Sequence, residues 1–209
     1  MPFDHNDHYH RLLLRQLPRG CRTALDVGCG TGRFARRLAR RGIEVDALDR
    51  SAAVIRAARA ASAPPAGGGG VRYLLADITR VELPAGRYDH ISCLASIHHV
   101  PFATVATLRE ALAPGGVLAI LGCYRQRAAA DYAVVLAAAP VNPVARLAAA
   151  ALERARGGRT RGLPRAPVRP AVMTLGQVRE AAAGLLPGCV IRRLLFWRYL
   201  LVFRRPQDP

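Results

Sequence analysis

Residues 24–34 read ALDVGCGTGRF: a short apolar run, glycines at alternate positions 28, 30 and 32, then the start of an arginine-rich helical pattern. A strand that runs straight into a glycine loop and then a helix is a unit whose backbone turns sharply and admits close approach at the helix N-terminus. The same rhythm extends outward from it. TALDV (23–27) predicts a first strand, and RFARRLARR (33–41) a helix with Phe34, Leu38 and its alanines inward. IEVDALD (43–49) predicts a second strand, SAAVIRAARAA (51–61) a helix with Ser51 at its N-cap, and SAPPAGGGG (62–70) a break. VRYLLAD (71–77) and YDHISCLAS (88–96) predict the third and fourth strands, FATVATLREALA (102–113) a helix, PGG (114–116) a turn and VLAILGC (117–123) the fifth strand. Strands alternating with helices predict an α/β fold, a Rossmann-like, doubly wound and mainly parallel sheet.

After Tyr124 the rhythm stops. Residues 125–172 form an insertion rich in alanine, arginine and proline, helical in its first part and a loop over RARGGRTRGLPRAPVRPAV (154–172). TLGQVREAAAGLL (174–186) then predicts a capped amphipathic helix. CVIRRLLFWRYLLVFRR (189–205) predicts two strands joined tightly around Phe196 and Trp197, an antiparallel hairpin at the edge of the sheet.

A chain of 209 residues, 51% hydrophobic, predicts one domain over 1–209, with 1–20 as an N-terminal cap segment and 125–172 as a substrate-side insertion. The formal charge of +17 invites a nucleic-acid reading, but all 31 basic residues are arginine and they are spread along the chain, a pattern of solvated faces. Five cysteines at 21, 29, 93, 123 and 189 show no CxxC or metal-ligand spacing and fit free thiols in a reducing cytoplasm. The polar start MPFDHNDHYH lacks the order of a signal peptide, so a cytoplasmic location is expected. Asp131, Pro140, Asn142, Pro143 and Arg146 interrupt the apolar stretch 128–151, so no transmembrane segment is expected.

Three strand ends carry chemistry. Gly28, Gly30 and Gly32 follow the first strand, but Arg33 stands where a dinucleotide fingerprint needs a small residue, and no GK[ST] marks a phosphate loop. Asp49 ends the second strand, where a carboxylate can accept both hydrogen bonds of a ribose diol, and Asp77 ends the third, where one can accept an exocyclic amine of adenine. Ligands of open α/β sheets bind at that carboxyl edge.

These residues resemble the motifs of the class I S-adenosylmethionine-dependent methyltransferases: LDVGCGTG (25–32), ALD ending at Asp49, LLADI around Asp77, YDHISCLASIHHV (88–100) and LREALAPGGVLAI (108–120). The likeness covers 22–124 well and 174–204 more loosely. It implies a seven-stranded sheet with an antiparallel last strand and S-adenosylmethionine as cofactor. It further implies that Asp26 and the glycine loop, Gly28, Cys29, Gly30 and Gly32, hold its methionine end, Asp49 its ribose, and Asp77 with Ile78 its adenine, with Arg50, Leu94 and Tyr9 completing the site. FDHNDHYH (3–10), with TLGQVREAAAGLLPGC (174–189) and FWRYLLVFRRP (196–206), also resembles poorly characterised methyltransferases of high-GC bacteria.

Methyl transfer from a sulfonium is an in-line displacement, and a base is needed only for an acceptor that must lose a proton. His98 and His99 follow the fourth strand and are the candidate catalytic residues. The resemblance implies an N-terminal segment folded over the cofactor, with Tyr9 and His10 as its lid. Asp4, His5, Asp7, His8 and His10 lie on one polar arm without a defined ligand geometry, so no metal is expected. Arg154, Arg156, Arg159, Arg161, Arg165 and Arg169 suit an anionic small-molecule acceptor. The apolar Tyr132, Val134, Val135 and Leu136 suit either an apolar acceptor or packing in a homodimer. RNA methylation is the alternative, disfavoured by the missing Asn/Asp-Pro-Pro-aromatic motif after the fourth strand and by 6% aromatic content. A non-catalytic, cofactor-binding scaffold and a nicotinamide oxidoreductase are the other readings; Arg33 and the absence of lysine weaken the last.

Overall fold

The computed structural model describes residues 5–62, 69–125, 170–195 and 197–207. The arginine loop and the apolar part of the insertion lie outside the described residues.

Seven strands form one sheet: β1 (Thr23–Val27), β2 (Glu44–Asp49), β3 (Val71–Leu75), β4 (Tyr88–Leu94), β5 (Leu112–Cys123), β6 (Val190–Leu194) and β7 (Arg198–Arg204). Their order is β3-β2-β1-β4-β5-β7-β6. All pairings from β3 to β5 are parallel, and β7 runs antiparallel to both β5 and β6. The predicted edge hairpin is therefore present, with its turn at the carboxyl edge of β5.

The central strands are apolar because both of their faces are covered. Alternate residues of β5 enter opposite cores: Leu118 and Ile120 pack with Ile91, Leu108, Leu186 and Phe203, whereas Ala119 and Leu121 pack with Leu13, Phe34, Leu38 and Leu200. The second layer comes from α1 (His5–Leu14), α2 (Arg33–Ala39) and α3 (Ala52–Ala60), the first from α4 (Thr104–Ala111) and α5 (Leu175–Leu185).

Local capping decides where the helices begin. Ser51 Oγ accepts the Val54 amide at the start of α3, and Thr174 and Gln177 form a reciprocal capping box at the start of α5. The PGG at 114–116 behaves differently from the expected turn. β5 already begins at Leu112, opposite Tyr88, and the register then jumps so that His90 faces Val117. The segment bulges out without ending the pairing, because Arg205 donates its amide to Gly116 O and Gly115 donates to Arg205 O on the far side.

The chain leaves β1 toward β2 and β3, then returns to place β4 on the other side of β1. Loops on either side of that switch point diverge, leaving a crevice outside the carboxyl ends of β1 and β4.

Candidate active site

The crevice is closed at its base by contacts that two of the three loop glycines make possible. A Cβ on Gly28 would stand 2.4 Å from Ser96 Cβ, and one on Gly32 would stand 2.3 Å from Tyr73 Oη, whereas one on Gly30 would meet nothing within 4 Å. All three have positive φ. Gly28 thus lets the loop after β4 cross, where Ser96 Oγ donates to Val27 O at 2.6 Å, and Gly32 lets Tyr73 pack under the start of α2. Only Gly30 opens onto space.

Two aspartates flank that opening. Asp49, the last residue of β2, accepts the Gly30 amide at Oδ2 (3.1 Å) and the Ser51 amide at Oδ1 (2.9 Å), which fixes the carboxylate against the glycine loop. Asp26, on β1, is buried; its Oδ1 accepts Ser92 Oγ at 2.8 Å, and its Oδ2 has no hydrogen-bond partner. Burial pushes the Asp26 carboxyl up to about 7, opposed by the Ser92 hydrogen bond and the backbone of Ala35, and assisted by the Asp49 charge. A buried carboxylate oxygen left without a donor suits a cationic ligand group. The amides of Gly28 and Cys29 both donate to Leu48 O, so β1 and β2 hold the loop together.

The third strand end is looser. β3 stops at Leu75, two residues before Asp77, whose Oδ1 is taken by the amide and hydroxyl of Thr79. These two hydrogen bonds lower its pKa, with smaller help from Arg80 and Arg50, so Arg50 and Asp77 share one rim of the crevice. Ile78 is buried in the core beneath, and Leu94 closes β4 opposite Leu121.

Across the crevice, a short 3-10 turn (Ile97–His99) follows Ala95, which holds φ 52 and donates its amide to Leu121 O. His98 and His99 stack with ring centroids 4.1 Å apart. Burial, reinforced by His99 and by the Arg198 cation, brings His98 down to about 4, and its Nδ1 is buried without a partner. His98 is therefore neutral at pH 7, well below the range a general base needs. Tyr9 is buried, and its hydroxyl donates to Leu195 O at 3.0 Å, which binds α1 to the turn between β6 and β7. His10 packs its ring against Phe34. Among the described residues no group of three His, Cys, Asp or Glu side chains could hold a metal ion, and no helix is long and apolar enough to cross a membrane.

Sequence reasoning found the two aspartates and the open glycine but missed Ser92, Ser96 and Arg198. Both serines lie within the motif at 88–100, but nothing in it singles them out; the parallel pairing of β1 with β4 sets Ser92 opposite Asp26.

A sheet of this order, with a glycine loop and carboxylates gathered at its switch point, defines a Rossmann-like, doubly wound architecture. Residues 24–116 match a family model described as a methyltransferase domain. An uncharacterized methyltransferase of Mycobacterium tuberculosis (strain ATCC 25618 / H37Rv) is 35% identical, with 98% of each chain covered. The trans-aconitate 2-methyltransferase of Streptomyces avermitilis is 37% identical over 125 residues, 55% of this chain and 46% of that protein. Among solved structures, a SAM-dependent methyltransferase from Methanosarcina mazei superposes with a TM-score of 0.63 at 15% identity, covering 93% of this chain and 97% of that one. The chain belongs to the class I methyltransferase family.

Proposed function

We propose that the protein transfers a methyl group from S-adenosylmethionine to a small-molecule acceptor. The observation that carries this reading is the partnerless, buried Asp26 Oδ2 beside the open face of Gly30 and the fixed carboxylate of Asp49. A methionine ammonium supplies the donor that Asp26 lacks, and a ribose diol uses the remaining lone pairs of Asp49. The residues thus fit the cofactor. Asp26, Gly28, Cys29, Gly30 and Gly32 would hold the methionine end, Asp49 and Arg50 the ribose, Asp77 through its second oxygen and Ile78 the adenine, with Leu94 and Tyr9 as flanking surface.

The cofactor, when bound, supplies a methyl group on an activated sulfonium. The protein's part is to align an acceptor and exclude water. Ser96 and the strained Ala95 fix the 3-10 turn that presents His98 and His99 to the acceptor side. His98, neutral and partnerless at Nδ1, offers a hydrogen bond that orients the acceptor, and His99 is the candidate base for an acceptor that must lose a proton. The Streptomyces relative's name specifies a small acid acceptor, which supports a small-molecule substrate here.

Calorimetric titration tests the cofactor: S-adenosylmethionine and S-adenosylhomocysteine should bind with similar affinity, and saturable binding of NAD with neither of these would overturn the assignment. Methyl-tritiated cofactor tests the acceptor class. Label should pass to low-molecular-weight material. Label in bulk RNA, or none under conditions where the cofactor binds, would favour the RNA and scaffold readings respectively.

A further inference from the structure

We propose that Arg198 is the anchor for a carboxylate on the methyl acceptor, an assignment that rests on the small-molecule reading above. Arg198 opens β7 directly opposite Cys123, the last residue of β5. Its position brings it to the acceptor side of the crevice. Its charge acts on Tyr9 of α1, on His98 after β4 and on the Cys123 thiol, three groups from three separate elements. The guanidinium contacts Cys123 Sγ through Nη1, while Nε is buried without a hydrogen-bond partner. No carboxylate of a described residue pairs with it. A thiol is a weak acceptor, so among the described residues this partly buried cation is left without the charged partner that such a group ordinarily has.

The turn before it is built to fix the guanidinium's direction. Trp197 holds φ 56, a left-handed conformation unusual for a bulky residue, and its carbonyl accepts the Tyr124 amide. Two residues earlier, Leu195 O accepts the Tyr9 hydroxyl. The β6–β7 turn is thus pinned from β5's exit and from α1, and the strain is held at the point where it aims one cation. Preorganisation of that kind serves recognition better than it serves stability.

A carboxylate suits the site better than a phosphate. Its single charge balances a single guanidinium and accepts a planar pair of N–H bonds, whereas a phosphate dianion would leave charge uncompensated among buried tyrosine and histidine rings. Arg193, another cation on the hairpin, is drawn over the Tyr124 ring, 5.8 Å from its centroid.

The experiment titrates benzoate, acetate, butyrate and inorganic phosphate into the S-adenosylhomocysteine-saturated protein by calorimetry, with R198M, R198K and the remote, exposed R204M alongside. The expected result is saturable millimolar-or-tighter binding of at least one carboxylate, silence from its methyl ester, a loss of roughly tenfold or more in R198M, partial retention in R198K and no change in R204M. Homocysteine-derivative binding and thermal unfolding of each variant establish that the fold survives. Failure of every carboxylate to bind, saturation by phosphate alone, or carboxylate binding that R198M leaves intact would overturn the assignment. Such a failure is separable from that of the underlying reading: label passing to RNA breaks the small-molecule function, while label passing to small molecules at equal acceptor KM in R198M breaks only the role of Arg198.

Discussion

The two edges of the sheet treat their polar groups in opposite ways. At the amino edge the carboxylates of Asp46 and Asp89 are both held by hydrogen bonds. Asp46 takes both arms of Arg72, at 2.7 and 2.8 Å, and the Tyr88 hydroxyl at 2.8 Å, which together hold its carboxyl below the usual range despite burial. Asp89 Oδ2 accepts the amides of Arg22 and Thr23 and the Thr23 hydroxyl. At the carboxyl edge Asp26, His98 and Arg198 each keep a buried polar atom without a partner, and Ala95 and Trp197, which among the described residues are the two non-glycine residues with positive φ, sit there. The same parallel sheet satisfies one edge for stability and leaves the other unsatisfied for ligands.

Substitutions at the two edges should therefore separate binding from folding. The largest effect is expected from Asp49→Ala, which removes the fixed carboxylate at the glycine loop and should weaken S-adenosylhomocysteine binding by about 1 to 3 kcal/mol in calorimetry while the protein stays folded. An unchanged dissociation constant would place the ribose elsewhere. The opposite signature is expected from Asp46→Ala: a loss of about 2 kcal/mol in denaturant unfolding, with cofactor affinity untouched. If affinity fell in step with stability, the division between the edges would be broken.

His90 sharpens the comparison, because it lies between the edges and is buried with both ring nitrogens unpartnered. Burial lowers it to about 4, against an ordinary value of 6.5 in the unfolded chain. The unfolded state therefore takes up the proton first as the pH drops. Stability is complete above 6.5 and is lost progressively toward 4, by roughly 2 kcal/mol between pH 7 and 5. Urea titrations across that range should show this slope flattening in His90→Leu. The smallest effect belongs to Asp26, whose carboxyl at about 7 is neutral below that pH and charged above it. Affinity for the ammonium-bearing cofactor should fall by up to about tenfold from pH 8 to 6, and Asp26→Asn should abolish that dependence.

Buried parallel strands are legible because covering both faces demands apolar runs, as in TALDV and VLAILGC, and the order of those runs is enough to bring Asp26 and Asp49 to one edge. The PGG bulge was not legible. Proline and glycine signal a turn, but only the later hairpin supplies the backbone partners that keep the strand paired around it. The glycine triplet was read as uniform, whereas Ser96 and Tyr73, distant in sequence, assign two of the three to internal packing. Arg198 is one of 31 arginines, and nothing local distinguishes it; the pairing with Cys123 and the lack of a carboxylate do. Asp77 was expected at a strand end, but Thr79 draws it into a turn of its own.

The hydrogen bond from Tyr9 to Leu195 spans 186 residues of sequence, and it sets the order in which the chain can mature. On the ribosome α1 emerges before every strand of the sheet, yet the surface it packs against includes Ala119 and Leu121 of β5 and Leu200 of β7. Its docking must wait until the final hairpin has been synthesised and has zipped onto β5. A contact of such separation forms late, so a chain truncated before residue 195 would present an undocked amphipathic helix to chaperones and proteases, and pairing of the β6–β7 hairpin with β5 is the event that closes the fold.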